Sequence, residues 1–373
     1  MRVLFELDAA LRNRYSGFYT FASGLINAMD RLDNPPKMVF LYQKRYKRLA
    51  EEMLAGLGPW ATGRACPFKF RWIQNLWNIS LMPSIQRIGG CFDLYHCFHH
   101  FMPPRAPGPR LLTVHDLRRY VLPELYPKSS TRRFETAVSR ADHFLTISQA
   151  SKRDLCRIFD ISSERVDVVP LGCSMKTHEC SQDEIDRMKQ ELRQQYNLPF
   201  TNYLVVFSSS DARKNIRRTA DAFKTALPDL PENTGLVILG ALPSSFTNNS
   251  NDIFTPGTVG DIIPWLVCSR GLVFASLYEG FGLPILEGFA AGVPVITSNC
   301  SSMPEVAGDA ALLVDPGDTR QIRDAIKTLL NDDSTVRSLV KAGKRRLRKF
   351  RWKRSAEATV KIYKRLCRTG NTH

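Results

Sequence analysis

The chain has 373 residues, 43% of them apolar and 24% charged, with a formal net charge of +16. That length exceeds one ordinary core and points to two domains, and the composition excludes a disordered or fibrous chain. The positive excess favours anionic partners, yet no helix-turn-helix, zinc-finger or RNA-recognition pattern supports nucleic acid.

The first half reads as strands alternating with helices. Val3–Leu7 is an apolar strand, followed by a polar loop, 8–17, that ends in Tyr15, Ser16 and Gly17. A helix over about 18–32 carries Phe21, Leu25, Ile26 and Met29 on one face. Met38–Tyr42 is a second strand, and the basic cluster Lys44–Arg48 follows it. Residues 50–90, with Trp60, Trp72 and Trp77 among Arg and Lys, read as helices bearing exposed aromatics. Strands resume at 92–97, 110–114, 143–147 and 166–170, with helices near 130–140 and 149–159; Ser148 is a plausible N-cap for the latter. This alternation predicts a doubly wound, mainly parallel sheet.

After Gly172 the strand signal stops. Residues 173–197 are highly charged, with a surface helix over Gln182–Tyr196. A second alternation then runs through strands at 203–207, 236–239, 253–259, 272–277, 293–297 and 311–314. Helices lie near 216–226, 261–268, 284–291, 318–330, 333–349 and 350–368. The nine cysteines are scattered and form no C-x-x-C pair, a usage that fits a reducing cytosol. No signal peptide is evident ahead of the first strand, and no uncharged run reaches the roughly 18–20 apolar residues of a membrane span. The expected location is therefore cytoplasmic.

The most informative stretch is Leu277–Glu287. An apolar run, Gly271–Ser276, precedes it as a buried strand, and Pro284 suits the start of a helix because its missing N–H is unneeded there. Two glycines, Gly280 and Gly282, let backbone approach a ligand closely. Glu279 thus stands at the carboxyl end of a strand and Glu287 in the early turns of the next helix. That edge of an open α/β sheet is where ligands bind. A second such corner follows the first strand of the second half, where Ser208–Asn215 carries Arg213 and Lys214 at the opening of a helix. A guanidinium fork, an ammonium and helix N–H groups suit two phosphates. No Asp-x-Asp triplet occurs to hold a metal.

The string Leu277–Glu287 resembles the E-x7-E segment of retaining glycosyltransferases of family 4, the "glycosyl transferases group 1" type. The likeness continues through Glu287–Ser298 and Met303–Pro316. It implies the GT-B architecture: an α/β chain of two doubly wound Rossmann-like domains facing across a cleft. The first, acceptor-side domain would be 1–172, with the C-terminal helix 351–373 packing back on it. Residues 173–197 would be linker and helix, and 198–350 the nucleotide-sugar domain.

The resemblance also distributes roles. Glu279 would be the family's usual catalytic residue, its carboxylate beside the donor sugar, in a front-face mechanism in which the leaving phosphate deprotonates the acceptor. Glu287 would hold the nucleotide ribose, and Arg213 and Lys214 the diphosphate. Backbone N–H groups around Phe281, Gly282 and Leu283 would bind the sugar or diphosphate. His115, at the end of the strand Arg110–Val114, would stand near the sugar's 6-position and the acceptor. Gly17 would be the small residue beside the diphosphate. His96, His99 and His100 with His115 fit no standard zinc spacing, so no metal is expected.

The implied activity is a metal-independent, retaining transfer of a hexose, with no cofactor beyond the nucleotide-sugar substrate. GDP-mannose is the first donor choice, from the likeness to bacterial O-antigen mannosyltransferases; glucose, galactose, N-acetylglucosamine and rhamnose donors use the same framework. The acceptor would be a glycan or lipid-linked oligosaccharide in cell-surface polysaccharide synthesis. A phosphorylase or epimerase on the same fold, and a non-catalytic lipid- or nucleic-acid-binding protein, are the competing readings. The basic runs Lys44–Arg48 and Lys341–Arg354 point to an anionic membrane surface, the latter because Leu347, Phe350 and Trp352 interleave with Arg and Lys. Peripheral association with the inner face of the cytoplasmic membrane is the corresponding expectation.

Overall fold

The computed structural model describes all residues except Tyr15, 80–82, 127–130, Glu179, 245, 249 and 370–373. It divides into two units, Met1–Ser174 with Arg351–His373, and Met175–Phe350.

The first unit is a seven-stranded sheet. Its strands are β1 (Arg2–Glu6), β2 (Lys37–Gln43), β3 (Ala61–Cys66), β4 (Leu94–Cys97), β5 (Arg110–Val114), β6 (His143–Thr146) and β7 (Val166–Val168). All pair in parallel, in the order β3-β2-β1-β4-β5-β6-β7. The central strands are apolar because helices cover both faces of such a sheet; Val3, Leu4 and Phe5 are buried. The strand order reverses between β1 and β4, so the loops after those two strands diverge and leave a crevice.

Two local features depart from the sequence reading. Residues 61–66 form an edge strand that carries no apolar pattern; most of it is exposed, and it is held by register against β2 from Met38↔Ala61 to Gln43↔Cys66. The loop after β1 contains a short buried helix, Asp8–Leu11, ahead of the helix Gly17–Asp30. Tyr15 of the predicted Tyr15–Gly17 turn lies outside the described residues.

The C-terminal helix Trp352–Thr369 belongs to the first unit. Trp352 stacks on Phe21, ring centroids 6.1 Å apart, and its indole N–H donates to Ser174 Oγ at 3.0 Å. Gly24 makes this possible: a Cβ there would stand 2.2 Å from the Trp352 ring. Further along, Ser355 Oγ donates to the Pro170 carbonyl at 2.6 Å, and the Tyr363 hydroxyl meets His96 Nδ1 at 2.6 Å.

The second unit is a six-stranded parallel sheet: β8 (Asn202–Ser208), β9 (Thr234–Gly240), β10 (Ile253–Gly257), β11 (Gly271–Phe274), β12 (Val295–Ser298) and β13 (Leu312–Val314). Its order, β10-β9-β8-β11-β12-β13, reverses between β8 and β11. The helix Gln182–Tyr196 packs here, with Tyr196 against the buried Trp265 (centroids 5.0 Å). Its start is closed by a capping box in which Ser181 and Glu184 satisfy each other's backbone N–H.

Candidate functional site

The loops after β8 and β11 meet at the point where the second sheet's order reverses. After Ser208 the chain makes one short 3-10 turn, Ala212–Lys214, and passes through Asn215 in the left-handed conformation (φ 59°). The Asn215 amide donates to the carbonyls of Ala275, at 3.0 Å, and Pro316, at 2.8 Å. Asp211 accepts from the Arg213 backbone N–H (3.2 Å) and from its Nε (3.1 Å). Arg213 Nη1 donates to the Tyr278 carbonyl at 2.9 Å, and the Arg213 carbonyl accepts from Leu277 N–H at 2.8 Å. The two loops are therefore stitched together before any ligand is considered.

This stitching places three charges in contact. Glu279 Oε2 lies 2.5 Å from Arg213 Nη1, and Glu279 Oε1 lies 2.8 Å from Lys214 Nζ. All three side chains are nearly buried, at 10%, 11% and 13% exposure for Glu279, Arg213 and Lys214. The Lys214 ammonium also sits 4.7 Å from the centre of the Phe274 ring. Burial alone would push the Glu279 carboxyl up, but Lys214 and Arg213 outweigh it and hold it at about 2.

The corner after Glu279 is set by Gly282, whose φ of 107° is strained for any side chain. The helix Leu283–Ala291 begins immediately, with Pro284 in its first turn. Its first N–H groups have no carbonyl four residues back. Phe281 is buried and meets Phe350 edge-on, centroids 5.8 Å apart, so only its backbone is available to a ligand. Glu287, one turn into the helix, is partly buried and accepts no hydrogen bond among the described residues. Burial raises it to about 7, against the pull of Lys214.

A set of hydroxyls braces this corner from behind. Ser302 Oγ lies 2.8 Å from the carbonyls of both Glu279 and Phe281 and shares its single hydrogen between them. Ser301 Oγ accepts from Glu279 N–H at 3.2 Å and reaches the Glu279 carbonyl at 2.5 Å. Ser298 Oγ donates to the Ser276 carbonyl at 2.6 Å.

In the first unit, His115 follows β5 and lines a cavity of about 330 Å³ with Phe18, His99, His100, Asp116 and Arg118. Its Nε2 meets the Phe98 carbonyl at 2.8 Å; a carbonyl only accepts, so Nε2 carries the hydrogen. Burial lowers the ring to about 4, which leaves it neutral with Nδ1 as an acceptor. Phe18 and Phe98 pack on it edge-on, at 4.4 and 4.6 Å between centroids. Gly17 is the first residue of its helix, capped by Ser16, and nothing lies within 4 Å of where its Cβ would be.

A second cavity of about 300 Å³ in the same unit is lined by Glu6, Arg12, Arg45, Lys69, Arg71 and Arg133, among others. Glu6 is buried, and its Oε2 has no hydrogen-bond partner. Burial, and then neighbouring Asp8, raise it to about 8. Asp8 itself is taken up by Gln43, accepting from the backbone N–H at 3.2 Å and the side-chain amide at 2.7 Å.

The histidines do not assemble as ligands. His96 is fully buried between Tyr363 and Thr113, at 2.6 Å from each, and His99 and His100 meet through their Nδ1 atoms. Among the described residues no group of three or more His, Cys, Asp or Glu side chains is placed to hold a metal ion.

Comparison with known proteins follows this geometry. Residues 21–176 match the family Glycosyltransferase Family 4, and residues 201–332 match Glycosyl transferases group 1. The chain is 30% identical over 291 residues to O-antigen chain mannosyltransferase B of Escherichia coli, covering 73% of this chain and 74% of that one. The chain belongs to glycosyltransferase family 4. This glycosyltransferase is also 29% identical over 285 residues to the serotype-specific mannosyltransferase WbdA of Escherichia coli, where the match spans 33% of that protein. Its fold is GT-B. Anabaena Alr3699/HepE, solved in complex with UDP and glucose, superposes with a TM-score of 0.73 at 16% identity, over 98% of this chain and 100% of that one. WaaG, a glycosyltransferase involved in lipopolysaccharide biosynthesis, gives 0.61 at 15% identity, over 94% and 95%.

For this family 4 enzyme the structure brings Arg213, Lys214 and Glu279 into one cluster, with Glu287 and the Gly282 corner beside it. His115 and Gly17 are in the first unit. Sequence reasoning missed Glu6 and Asp8 at the end of β1, and Asp211, Asn215, Ser301 and Ser302, which position the cluster. Only the polarity of Ser209–Asp211 and Cys300–Ser302 hinted at them.

The run Lys341–Arg354 is not one interfacial helix. One helix ends at Leu347 and the next begins at Trp352, in the other unit. Leu347 is buried, Phe350 packs on Phe281 and Trp352 on Phe21, so its apolar residues face the protein. Arg346 is likewise engaged, donating to the carbonyls of Glu305 and Val306 (3.0 Å to the latter). No helix among the described residues is long and apolar enough to cross a membrane.

Proposed function

We propose that this glycosyltransferase transfers mannose from GDP-mannose, with retention and without a metal, to a glycan or lipid-linked glycan of the O-antigen type. The observation that carries the site is the Arg213–Lys214–Glu279 cluster at the reversal of the second sheet. The names of the relatives, O-antigen chain mannosyltransferase B and WbdA, support the sugar and the acceptor class.

In this reading Arg213 and Lys214 take the diphosphate, helped by the N–H groups of Gly282 and Leu283. Glu287 accepts from the ribose hydroxyls. The bond from the sugar's anomeric carbon to the phosphate oxygen breaks, and the bond to the acceptor oxygen forms on the same face. The acceptor proton passes to the departing phosphate. Glu279 stays ionised beside the developing positive charge, and the cations stabilise the negative charge on the leaving group. His115, neutral, offers Nδ1 as an acceptor to a substrate hydroxyl in the first unit's own cavity.

The test is transfer to an oligosaccharide acceptor from GDP-mannose and, in parallel, from UDP-glucose, UDP-galactose and UDP-N-acetylglucosamine. Product stereochemistry is read by NMR, and each reaction is repeated with a chelator. Turnover with GDP-mannose alone, giving the α-linked product with chelator present, is expected. Turnover with a UDP-sugar and none with GDP-mannose would replace the donor assignment.

A further inference from the structure

We propose that the helix Phe70–Asn78 of the first unit is a docking surface for an anionic lipid bilayer. The helix is apolar on two sides. Phe70, Ile73 and Trp77 face the core and are buried. Trp72, Leu76 and Ile79, with Phe68 just ahead of the helix, recur at spacings of four, four and three residues and form a second stripe on the opposite side. They are exposed, at 57% for Phe68, 61% for Trp72, 36% for Leu76 and 65% for Ile79. Among the described residues only Met1 and Leu313 are other large apolar side chains so exposed. Single exposed apolar residues need no explanation; a contiguous stripe does.

The charge around the stripe identifies its occupant. From residue 53 to residue 92 the chain has no acidic residue, while Arg64, Lys69, Arg71 and Arg87 lie in that span. On the helix's Phe70–Gln74 side a cavity that also holds Glu6 gathers Arg45, Lys69, Arg71 and Arg133. Lys69 lies with its ammonium 5.8 Å from the Trp72 ring. A stripe of Trp, Phe, Leu and Ile with Lys69 against it, in a span of chain that holds basic but no acidic residues, matches an interface whose inside is hydrocarbon and whose surface is negative. A second copy of this chain would bring like charges together around the same stripe. The sequence had placed membrane contact on Lys44–Arg48 and Lys341–Arg354; Arg45 of the first run is beside this helix, and the second run turns its apolar residues inward. The proposal rests on the surface of the first unit and does not depend on the donor assignment.

The test uses the full chain with vesicles of equal parts phosphatidylglycerol and phosphatidylcholine, and vesicles of phosphatidylcholine alone. Of the other tryptophans, Trp60, Trp77 and Trp265 are buried and Trp352 packs on Phe21. Trp72 emission is therefore expected to shift to the blue and to be shielded from acrylamide on the anionic vesicles, and Trp72→Phe removes the signal while retaining sedimentation. The triple variant Trp72→Glu, Leu76→Glu, Ile79→Glu is expected to lose vesicle binding by roughly ten-fold or more. Its thermal midpoint and its turnover of a soluble acceptor stay at wild-type levels. Wild-type protein that ignores anionic vesicles at low salt overturns the proposal. So does a triple variant that still binds, or light scattering that shows the stripe holding a dimer.

Discussion

The carboxylate of Glu279 and the ammonium of Lys214 stand 2.8 Å apart, both nearly buried, with Arg213 on the carboxylate's other oxygen. The groups assigned to the sugar and to the phosphates are thus one another's counter-ions. Removing the acid strips Lys214 of its carboxylate and leaves Arg213 with Asp211 as counter-ion, a loss of about 3–5 kcal/mol for such buried pairs. Glu279→Ala is expected to lower the thermal midpoint, whereas Glu279→Gln keeps the shape and costs less. Both should reduce kcat by roughly 10²-fold or more. Nucleoside diphosphate should bind either variant at least as tightly as wild type, because phosphate no longer competes with the carboxylate for the two cations. Weaker binding measured by calorimetry would contradict that shared-cation account.

The same pair makes a pH prediction. Glu279 is held at about 2, against 4.5 for an ordinary glutamate. Its folded-state value is depressed, so its contribution to stability is complete above about 4.5 and is lost as pH falls from there through 2. Acid unfolding followed by circular dichroism should show a shallower decline over that window in Glu279→Gln.

Glu287 behaves in the opposite sense. Raised to about 7, it destabilises the fold as pH rises from 4.5 through 7, because ionisation then carries a cost that the unfolded chain does not meet. In the proposed role, accepting from both ribose hydroxyls would favour the ionised form. Nucleotide affinity should therefore climb with pH by roughly ten-fold per unit below 7, with proton release on binding. Calorimetry in buffers of different ionisation enthalpy measures that release, and Glu287→Gln should abolish both it and the pH slope.

Ser302 has no predicted contact with substrate, yet its hydroxyl lies 2.8 Å from the carbonyls of Glu279 and Phe281, on either side of the proposed catalytic corner. Ser302→Ala should cost about 1–3 kcal/mol in stability. It should also lower kcat more than it raises KM, since the ribose and phosphate contacts survive. An unchanged kcat would assign the serine to folding alone.

His96 offers a stability test remote from the donor. Its Nδ1 meets Tyr363 at 2.6 Å and its Nε2 meets Thr113 at 2.6 Å, in a fully buried position. Tyr363→Phe leaves one ring nitrogen without a partner, for about 1–3 kcal/mol and a fall of several degrees in the thermal midpoint. Nucleotide binding, proposed for the second unit, should be unaffected, and a nucleotide titration checks this.

The parts of this protein legible in the sequence are those whose cause is local. Apolar runs bounded by glycine and proline mark the buried parallel strands, and the corner from Leu277 to Glu287 carries its own turn and helix-start chemistry. The edge strand Ala61–Cys66 was invisible because an exposed edge needs no apolar pattern, only a neighbour's free hydrogen-bonding groups. Trp60 and Trp77, read as exposed, are buried, since each indole N–H finds an oxygen: Asp30 at 2.6 Å and the Pro83 carbonyl at 2.8 Å. The bracing by Ser301 and Ser302 depends on carbonyls some twenty residues away, and nothing in a pair of serines announces that. The joining of Arg213, Lys214 and Glu279 was half legible: both corners could be read, but their contact required knowing that β8 and β11 are neighbours.

The first unit is a discontinuous assembly, made of residues 1–174 and of a helix that follows the whole second unit. On the ribosome this inverts the usual order of events. The second unit has all its residues once Phe350 emerges, while the sheet that emerged first still lacks the Trp352 and Tyr363 that pack on Phe21 and His96. A chain released short of that helix would hold a complete second unit and an incomplete first one. Completion of the first unit is thereby a record that translation reached Trp352 and beyond.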